Sequence, residues 1–169
     1  MGPASGTLSP LAAEICGAIA QWGIYDCHEH LPAEKRRTAQ YLDAFRLFSH
    51  CCRDDLRITG MGKGDMAFVL DSQGDIGQKW RLFRPCYMGI RHTSYARAAH
   101  IAMQRFCGAD ELNDETVHTV TESMRRQNKP GLYDRILRAA CGIITPPNNV
   151  GSMSDTDEAV SAASLRSPA

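Results

Sequence analysis

The chain has 169 residues, 43% of them hydrophobic and 22% charged, a composition typical of a folded globular domain rather than a disordered chain. Nineteen Lys and Arg residues balance nineteen Asp and Glu residues, so the basic excess of most nucleic-acid-binding proteins is missing. The sequence has no apolar run near the ~20 residues of a membrane helix, and its start lacks the features of a secretory signal. We therefore expect a cytoplasmic protein without nucleic-acid or membrane partners.

The first predicted elements are a short helix and a short strand. Apolar residues at helical spacing predict an amphipathic helix over 9–22, with Ser9 as its N-cap. Ile24 and Tyr25 then form a brief apolar segment that leads to Pro32. This pattern predicts a short buried strand.

The chain from residue 34 to residue 145 is predicted to be mostly helical. A helix is expected over 34–50, with 53–56 as its extension, followed by a glycine-rich loop over 60–64. Pro85 is expected to bend or break one of the later helices. These later helices are predicted around Trp80, Phe83 and Tyr87; from Tyr95 to Phe106, ending at Gly108; around Val117, Val120 and Met124, capped by Asn113 or Asp114; and from Leu132 to Ala140.

A strand is also predicted to begin near Ile143. The fold class predicted from these elements is mostly α with one or two short strands. Because a single strand needs a sheet partner, the segment at Ile24 either pairs with Ile143 and Ile144 or finds its partners outside this chain.

The composition changes at Pro146. Residues 146–169 contain no aromatic residue and are rich in Ser, Ala, Asp and Pro. Such a segment buries too little apolar surface to offset the entropy of ordering it. We therefore predict a domain over 1–145 and a disordered tail over 146–169.

The chain has seven cysteines, an odd number, without a disulfide-framework spacing or a Cys-x-x-Cys pair. In the absence of an export signal we expect a reducing compartment and predict that most of these thiols are small core residues. The adjacent pair Cys51-Cys52 leaves a redox-active pair as the alternative.

The segment Asp26-Cys27-His28-Glu29-His30 carries the clearest chemical signal. Side chains of a strand alternate between its faces, so His28 and His30 point the same way and can share one metal ion. Neutral imidazole is a common ligand of Zn²⁺ and similar ions. Asp26 lies on the same face of the strand and is expected to orient one of the metal ligands without binding the metal itself. The alternative is two partly exposed histidines at a strand end.

The pattern Asp-x-His-x-His-Leu after a short apolar strand resembles the first-strand motif of the amidohydrolase superfamily. The resemblance extends from about residue 24 to residue 143 and is closest to the amidohydrolase-2 branch, whose members are related to uronate isomerases. The further segments that carry it are Asp54-Asp55-Leu56 with Gly60-Met61, Trp80 with Arg91 to Arg97, Phe106-Cys107-Gly108, and Gly131 to Leu137.

This resemblance implies the N-terminal portion of a (β/α)₈ metal-dependent hydrolase barrel with a helical insertion. His28 and His30 match the family's first-strand ligands of a divalent metal, zinc above all, which activates water or polarises a carbonyl. The family's later ligands and its terminal aspartate have no counterpart in this sequence. A complete barrel needs about 250 residues, so the chain is expected to contain part of one.

Several functions remain open on these grounds. The resemblance implies hydrolysis of a small carboxylated or cyclic amide or ester, and a sugar-acid isomerase similar to uronate isomerase is the close alternative. A catalytically inactive helical interaction module is the alternative from another class, with self-association through unpaired strand edges.

Three further residues are candidates for substrate binding. Arg91 and His92 lie in the matched segment, and Arg91 and Arg57 are suited to hold a substrate carboxylate through two parallel hydrogen bonds. The alternative for both arginines is a solvated surface position. The other histidines are interpreted as surface residues or satisfied core residues: His50, His100 and His118.

Overall fold

The computed structural model describes residues 8–27, 31–71 and 73–145, and over this part the chain is mostly helical with two short strands. The predicted fold class is thereby confirmed at this level. The described residues fall into two compact units. One contains the residues up to Arg37 and from Pro130 onwards, and the other comprises Thr38–Lys129. The predicted tail over 146–169 lies outside the described residues.

The first unit is organised around a small parallel sheet. Its elements are α1 (Pro10–Ile19), β1 (Ile24–Tyr25), most of α2 (Glu34–Thr38), a π-helix (Asp134–Ala140) and β2 (Ile143–Thr145). Ile24 lies opposite Ile143 and Tyr25 opposite Thr145, with a register shift between the two pairs. Of the two alternatives left open by the sequence, the structure shows the pairing of the first strand with the segment at Ile143.

The prediction that this strand is buried is wrong. The exposed fraction is 50% for Ile24 and 73% for Tyr25. The physical reason is size, because strands of two and three residues offer little surface against which a helix can pack. Helix α1 contains no buried residue either, and Leu11 and Ile15 on its apolar stripe are 65% and 49% exposed.

Hydrogen bonds accepted by Glu34 join the two chain segments of the first unit. Its carboxylate accepts the backbone N–H of Gly131 at 3.0 Å and that of Tyr133 at 2.7 Å. The Tyr133 hydroxyl donates to the carbonyl of Pro32 at 2.6 Å. The chain therefore returns to the start of α2 immediately before the π-helix that leads to β2.

The second unit packs helices around an aromatic core. Phe45 and Phe48 of a 3₁₀ helix pack against Phe83 and Tyr87, with ring centroids 5.2 to 5.5 Å apart. Trp80, Phe83 and Tyr87 are buried as predicted. The elements of this unit are the 3₁₀ helix (Ala44–Phe48), α3 (Arg53–Ile58), α4 (Lys63–Leu70), α5 (Ile76–Ile90), α6 (Ser94–Cys107) and α7 (Thr116–Gln127).

The predicted continuous helix over 34–50 is wrong. Helix α2 ends at Thr38 and the 3₁₀ helix begins at Ala44. Asp43 separates them, because its carboxylate accepts the backbone N–H of Phe45 at 3.2 Å and caps the new helix. An aspartate that bonds to nearby backbone in this way competes with helix continuation.

Proline and glycine have different effects on the later helices. Helix α5 continues across Pro85, so the predicted break is absent. Its buried face on both sides of Pro85 packs into the core, and such packing supplies most of a helix's stability. Helix α6 ends at Gly108, whose φ of 71° is left-handed, as predicted for a glycine that ends a helix. No helix among the described residues is long and apolar enough to cross a membrane.

Candidate functional site

The predicted metal ligands follow directly after β1. His28 and His30 lie outside the described residues, whereas Asp26 is half-buried and Cys27 is exposed just before them. Because β1 and β2 are parallel, their carboxyl ends lie at the same edge of the sheet. The segment that begins at Asp26 therefore leaves the sheet at its carboxyl edge.

The described residues do not supply a metal site of their own. In that part of the chain no group of three or more His, Cys, Asp or Glu side chains is placed to hold a metal ion. A catalytic zinc site usually has about three protein ligands. Metal binding by His28 and His30 therefore stays a prediction.

The predicted substrate-binding residues occupy two helices of the second unit. Arg91 lies at the end of α5, where its Nε donates to His92 Nε2 at 3.2 Å and its Nη1 lies 3.4 Å from Glu111 Oε2. Arg57 lies on α3, and its Nη1 is 3.6 Å from Asp54 Oδ1. Each guanidinium therefore contacts a different carboxylate. Among the described residues, a hydrogen bond joins Arg91 to His92, and none joins Arg91 to Arg57.

A groove between α4 and α5 is open to solvent and is lined by both polar and apolar side chains. The lining residues are Asp65, Phe68, Gln78, Arg81 and Leu82. None of the predicted substrate-binding residues is among them. The groove therefore does not correspond to the predicted carboxylate site.

A buried tyrosine and a histidine form a polar pair in the core of the second unit. The Tyr87 hydroxyl lies 2.8 Å from His100 Nε2 and accepts the backbone N–H of Leu112 at 3.2 Å. Burial raises the pKa of Tyr87 to about 12 and lowers the pKa of His100. At neutral pH both groups are therefore uncharged, and they share a hydrogen bond.

A buried ion pair joins α5 to the start of the 3₁₀ helix. Lys79 Nζ lies 2.6 Å from Asp43 Oδ2, and the two side chains are 0% and 2% exposed. Lys79 also donates to the carbonyl of Asp71. This pair is not predicted from the sequence, although Lys79 falls between Ile76 and Phe83 on the apolar face of α5, at a spacing that places a lysine in the core.

The cysteines differ from the prediction that most lie in the core. Of the seven, Cys52 and Cys86 are buried, and Cys16, Cys27 and Cys51 are exposed. The remaining two are partly buried. The prediction is wrong because it rested on the general tendency of free cysteine to be buried, whereas α1 and the turn before α3 leave their cysteines on the surface.

Cys51 contacts a histidine. Its Sγ lies 3.4 Å from the Nδ1 of the preceding residue, His50, and both side chains are exposed. The next residue, Cys52, is 1% exposed. Burial above all, with the nearby Asp55 carboxylate and Cys51, raises the pKa of Cys52 to about 11.

Comparison with known proteins assigns no family: neither a family model, nor a curated protein, nor a solved structure matches this chain.

Proposed function

We propose that this chain is the N-terminal portion of a metal-dependent hydrolase of the amidohydrolase superfamily, acting on a small carboxylated or cyclic amide or ester. The observation that carries the proposal is the parallel pairing of β1 with β2 across residues 26–142. Successive strands of a (β/α)₈ barrel are parallel, and helical segments connect them. The first two strands of such a barrel are likewise parallel and are connected by a helical segment.

The position of the motif supports the same proposal. Barrel enzymes carry their active sites at the carboxyl ends of the strands, and the segment Asp26–His30 directly follows β1. In the proposal His28 and His30 bind a divalent metal, zinc above all, and Asp26 orients a ligand. When bound, such a metal activates water or polarises a carbonyl.

The second unit fits the part of a helical insertion. Thr38–Lys129 forms its own compact unit, while the chain on either side of it belongs to the first unit. The hydrogen bonds of Glu34 to Gly131 and Tyr133 bring the two ends of the inserted segment together. An insertion whose ends are adjacent leaves the surrounding fold intact.

Arg91 and His92 are proposed to hold the carboxylate of the substrate. Arg91 is half-buried, and its contact with Glu111 at 3.4 Å uses one of its five N–H donors. His92 is exposed beside it. Arg57 is the less favoured partner, because it lies on α3 and the hydrogen bonds of the described residues do not join it to Arg91 or His92.

A uronate-isomerase-like activity is the close alternative, because the matched segment around Arg91 and His92 resembles that branch. It would replace hydrolysis by proton transfer between two sugar carbons. A panel of uronates and simple lactones, tested on the longer enzyme that contains this segment, distinguishes the two activities by product.

An inactive interaction module is the candidate from another class. It is favoured by the exposure of Tyr25 at 73% and Ile144 at 42% in the small sheet, which leaves strand edges for self-association. Gel filtration with light scattering tests it, and a clean monomer across the accessible concentration range would contradict it.

Zinc binding tests the main proposal on this chain. Equilibrium dialysis is expected to show weak zinc binding that a chelator readily removes, because two of about three ligands are present. An activity assay with a test amide is expected to show no measurable hydrolysis. Replacing His28 and His30 by Ala should abolish this binding and leave the helical circular dichroism unchanged. The matched control replaces the exposed residues His50 and His118 by Ala and should retain the binding. Tight stoichiometric zinc, or turnover of a test amide that survives in the His28/His30 variant, would contradict the proposal.

A further inference from the structure

Helix α1 presents apolar side chains to solvent. The Ser9 hydroxyl caps its N-terminus by accepting the backbone N–H of Ala12 at 3.2 Å, yet none of the helix residues is buried. The large apolar residues in and beside the helix are between 49% and 71% exposed. They are called the α1 stripe and comprise Leu8, Leu11, Ile15, Ile19 and Trp22.

The spacing of the α1 stripe is symmetric about Ile15. Leu11 and Ile19 lie four residues before and after Ile15, and this step keeps side chains on one face of a helix. Leu8 and Trp22 each lie three residues further out and add an exposed apolar residue at each end. The Trp22 N–H donates to the carbonyl of Ile19 at 3.0 Å, in a three-residue turn that keeps Trp22 on the side of Ile19.

A symmetric stripe is complementary to a second copy of itself. When two copies of α1 pack antiparallel, Ile15 meets Ile15, and Leu11 of each copy meets Ile19 of the other. A two-fold axis requires a surface of this kind, on which the same residues pair in both directions.

The exposed area of the α1 stripe is sufficient for a small interface. With roughly 150–200 Å² for each large apolar side chain, the exposed fractions amount to about 500 Å² on each copy. Two copies would then bury about 1,000 Å², which is the lower bound for a specific interface. An exposed apolar patch of several hundred Å² is typical of an interaction surface.

The charge of the segment favours a protein partner over a lipid surface. Glu14 is the single charged residue between Leu8 and Tyr25, so this segment has no Lys or Arg to attract anionic headgroups. Helical geometry turns Glu14 by about 100° from Ile15. The carboxylate therefore lies at the rim of the antiparallel contact, where interfaces are polar and open to water.

We propose that the α1 stripe is a homodimer interface in which two copies of this chain pack antiparallel about a two-fold axis at Ile15. This surface is distinct from the edges of β1 and β2, and the association does not depend on the metal-dependent activity. An interface of this small size is expected to bind with a Kd on the order of 10 µM.

Analytical ultracentrifugation of the full chain in reducing buffer tests the association. The unmodified chain should pass from monomer to dimer as its concentration rises through the Kd. Ile15→Asp brings two like charges together at the axis and should raise the Kd at least ~10-fold. The matched control Ala13→Asp adds the same charge at an exposed position about 200° around the helix, and it should dimerise like the unmodified chain. Neither variant should change the circular dichroism, because α1 has no buried residue.

Several outcomes of this experiment would overturn the proposal. One is a chain that stays monomeric at about ten times the expected Kd. Another is a dimer that survives Ile15→Asp, which would assign the association to the strand edges. Equal weakening by Ala13→Asp would show a general effect of charge. A monomer that floats with phosphatidylserine-containing vesicles would assign the α1 stripe to a lipid surface.

Cross-linking tests the orientation of the pair. Cys16 is exposed next to Ile15, so the two Cys16 residues of an antiparallel pair lie about 10 Å apart, near the distance between packed helix axes. A bis-maleimide of that length should link Cys16 to Cys16, a product that necessarily joins two copies and is read by mass spectrometry. In a chain with Cys16→Ser and Gln21→Cys the two introduced thiols are separated by about 18 Å along the helices and should not be linked. Absence of the Cys16 product, or efficient linking at position 21 as in a parallel pair, would contradict the proposed dimer.

Discussion

The buried pair of Lys79 and Asp43 gives the most quantitative prediction. Replacing Lys79 by Met keeps the length of the side chain but removes the charge that lies 2.6 Å from Asp43 Oδ2. The Asp43 carboxylate is 2% exposed and would keep the Phe45 N–H at 3.2 Å as a donor. One neutral donor does not compensate a buried charge, and the carbonyl of Asp71 would also lose the ammonium.

Loss of one partner from a buried ion pair costs about 3–5 kcal/mol. Domains are stable by about 5–15 kcal/mol, so Lys79→Met should remove a large part of the free energy of unfolding. Asp43→Asn should destabilise for the same reason, because it leaves the ammonium buried. The double variant contains no unpaired buried charge and should be more stable than the sum of the single effects implies, by a coupling of about 2–3 kcal/mol.

The matched control lies on the same helix. Arg84 pairs with Asp114 at 3.5 Å, but the side chains are 57% and 67% exposed. Such a pair contributes about 0–1 kcal/mol, so Arg84→Met should leave stability nearly unchanged. Urea unfolding, followed by circular dichroism, measures all four variants. Additive single effects in the double variant, or equal losses in Lys79→Met and Arg84→Met, would refute the reasoning.

Two further predictions concern stability in the second unit. Burial lowers the pKa of His100 in the folded chain, so the unfolded chain binds more protons at acidic pH. The stabilisation by neutral His100 is complete above about pH 6.5 and decreases as pH falls. Urea midpoints measured against pH should show a weaker decrease in His100→Gln and the full decrease in the exposed control His118→Gln. Parallel profiles of urea midpoint against pH for the two variants would contradict this prediction. Gly108→Ala should lower the free energy of unfolding by about 1 kcal/mol, because φ is 71° at this residue. Gly64→Ala within α4 should be neutral or stabilising, because an added Cβ meets nothing within 4 Å there. Equal urea midpoints for the two variants would contradict this prediction.

Within the second unit, α5 and α7 are predicted correctly because their apolar spacing coincides with burial. Trp80, Phe83 and Tyr87 recur at helical spacing and form the buried face of α5, and Val117 and Val120 do the same for α7. In these segments local periodicity and tertiary packing favour the same structure, which is why the pattern suffices. The packing also explains why α5 continues across Pro85.

Interactions between distant residues could not be predicted in this way. The break between α2 and the 3₁₀ helix depends on Asp43, whose partner Lys79 is 36 residues away. The contact of Tyr87 with His100 depends likewise on how α5 packs against α6. Helical spacing identifies Tyr87 as a core residue, but it does not identify the hydrogen-bond partner of the Tyr87 hydroxyl.

The candidate site was predictable to a similar extent. The sequence correctly predicts the strand before Asp26, and its pairing with the segment at Ile143 was one of the two alternatives that the sequence left open. The adjacency of Arg91 and His92 follows from their positions in the chain, whereas the contact of Arg91 with Glu111 depends on the fold. The side of the sheet that His28 and His30 occupy remains a prediction from strand alternation.

The topology of the first unit is compatible with the proposed helical insertion and the proposed metal site. An antiparallel pair can be closed by a tight hairpin, but a parallel pair requires the chain to cross over from the carboxyl end of one strand to the amino end of the next. In this chain the crossover begins at Asp26 and ends before Ile143. Asp26 therefore lies where the crossover leaves the sheet, and the proposed helical insertion would lengthen the crossover without changing the strand that precedes Asp26. Substitutions at Lys79 or His100 should accordingly report on the stability of the second unit, whereas substitutions at His28 and His30 report on the proposed metal binding.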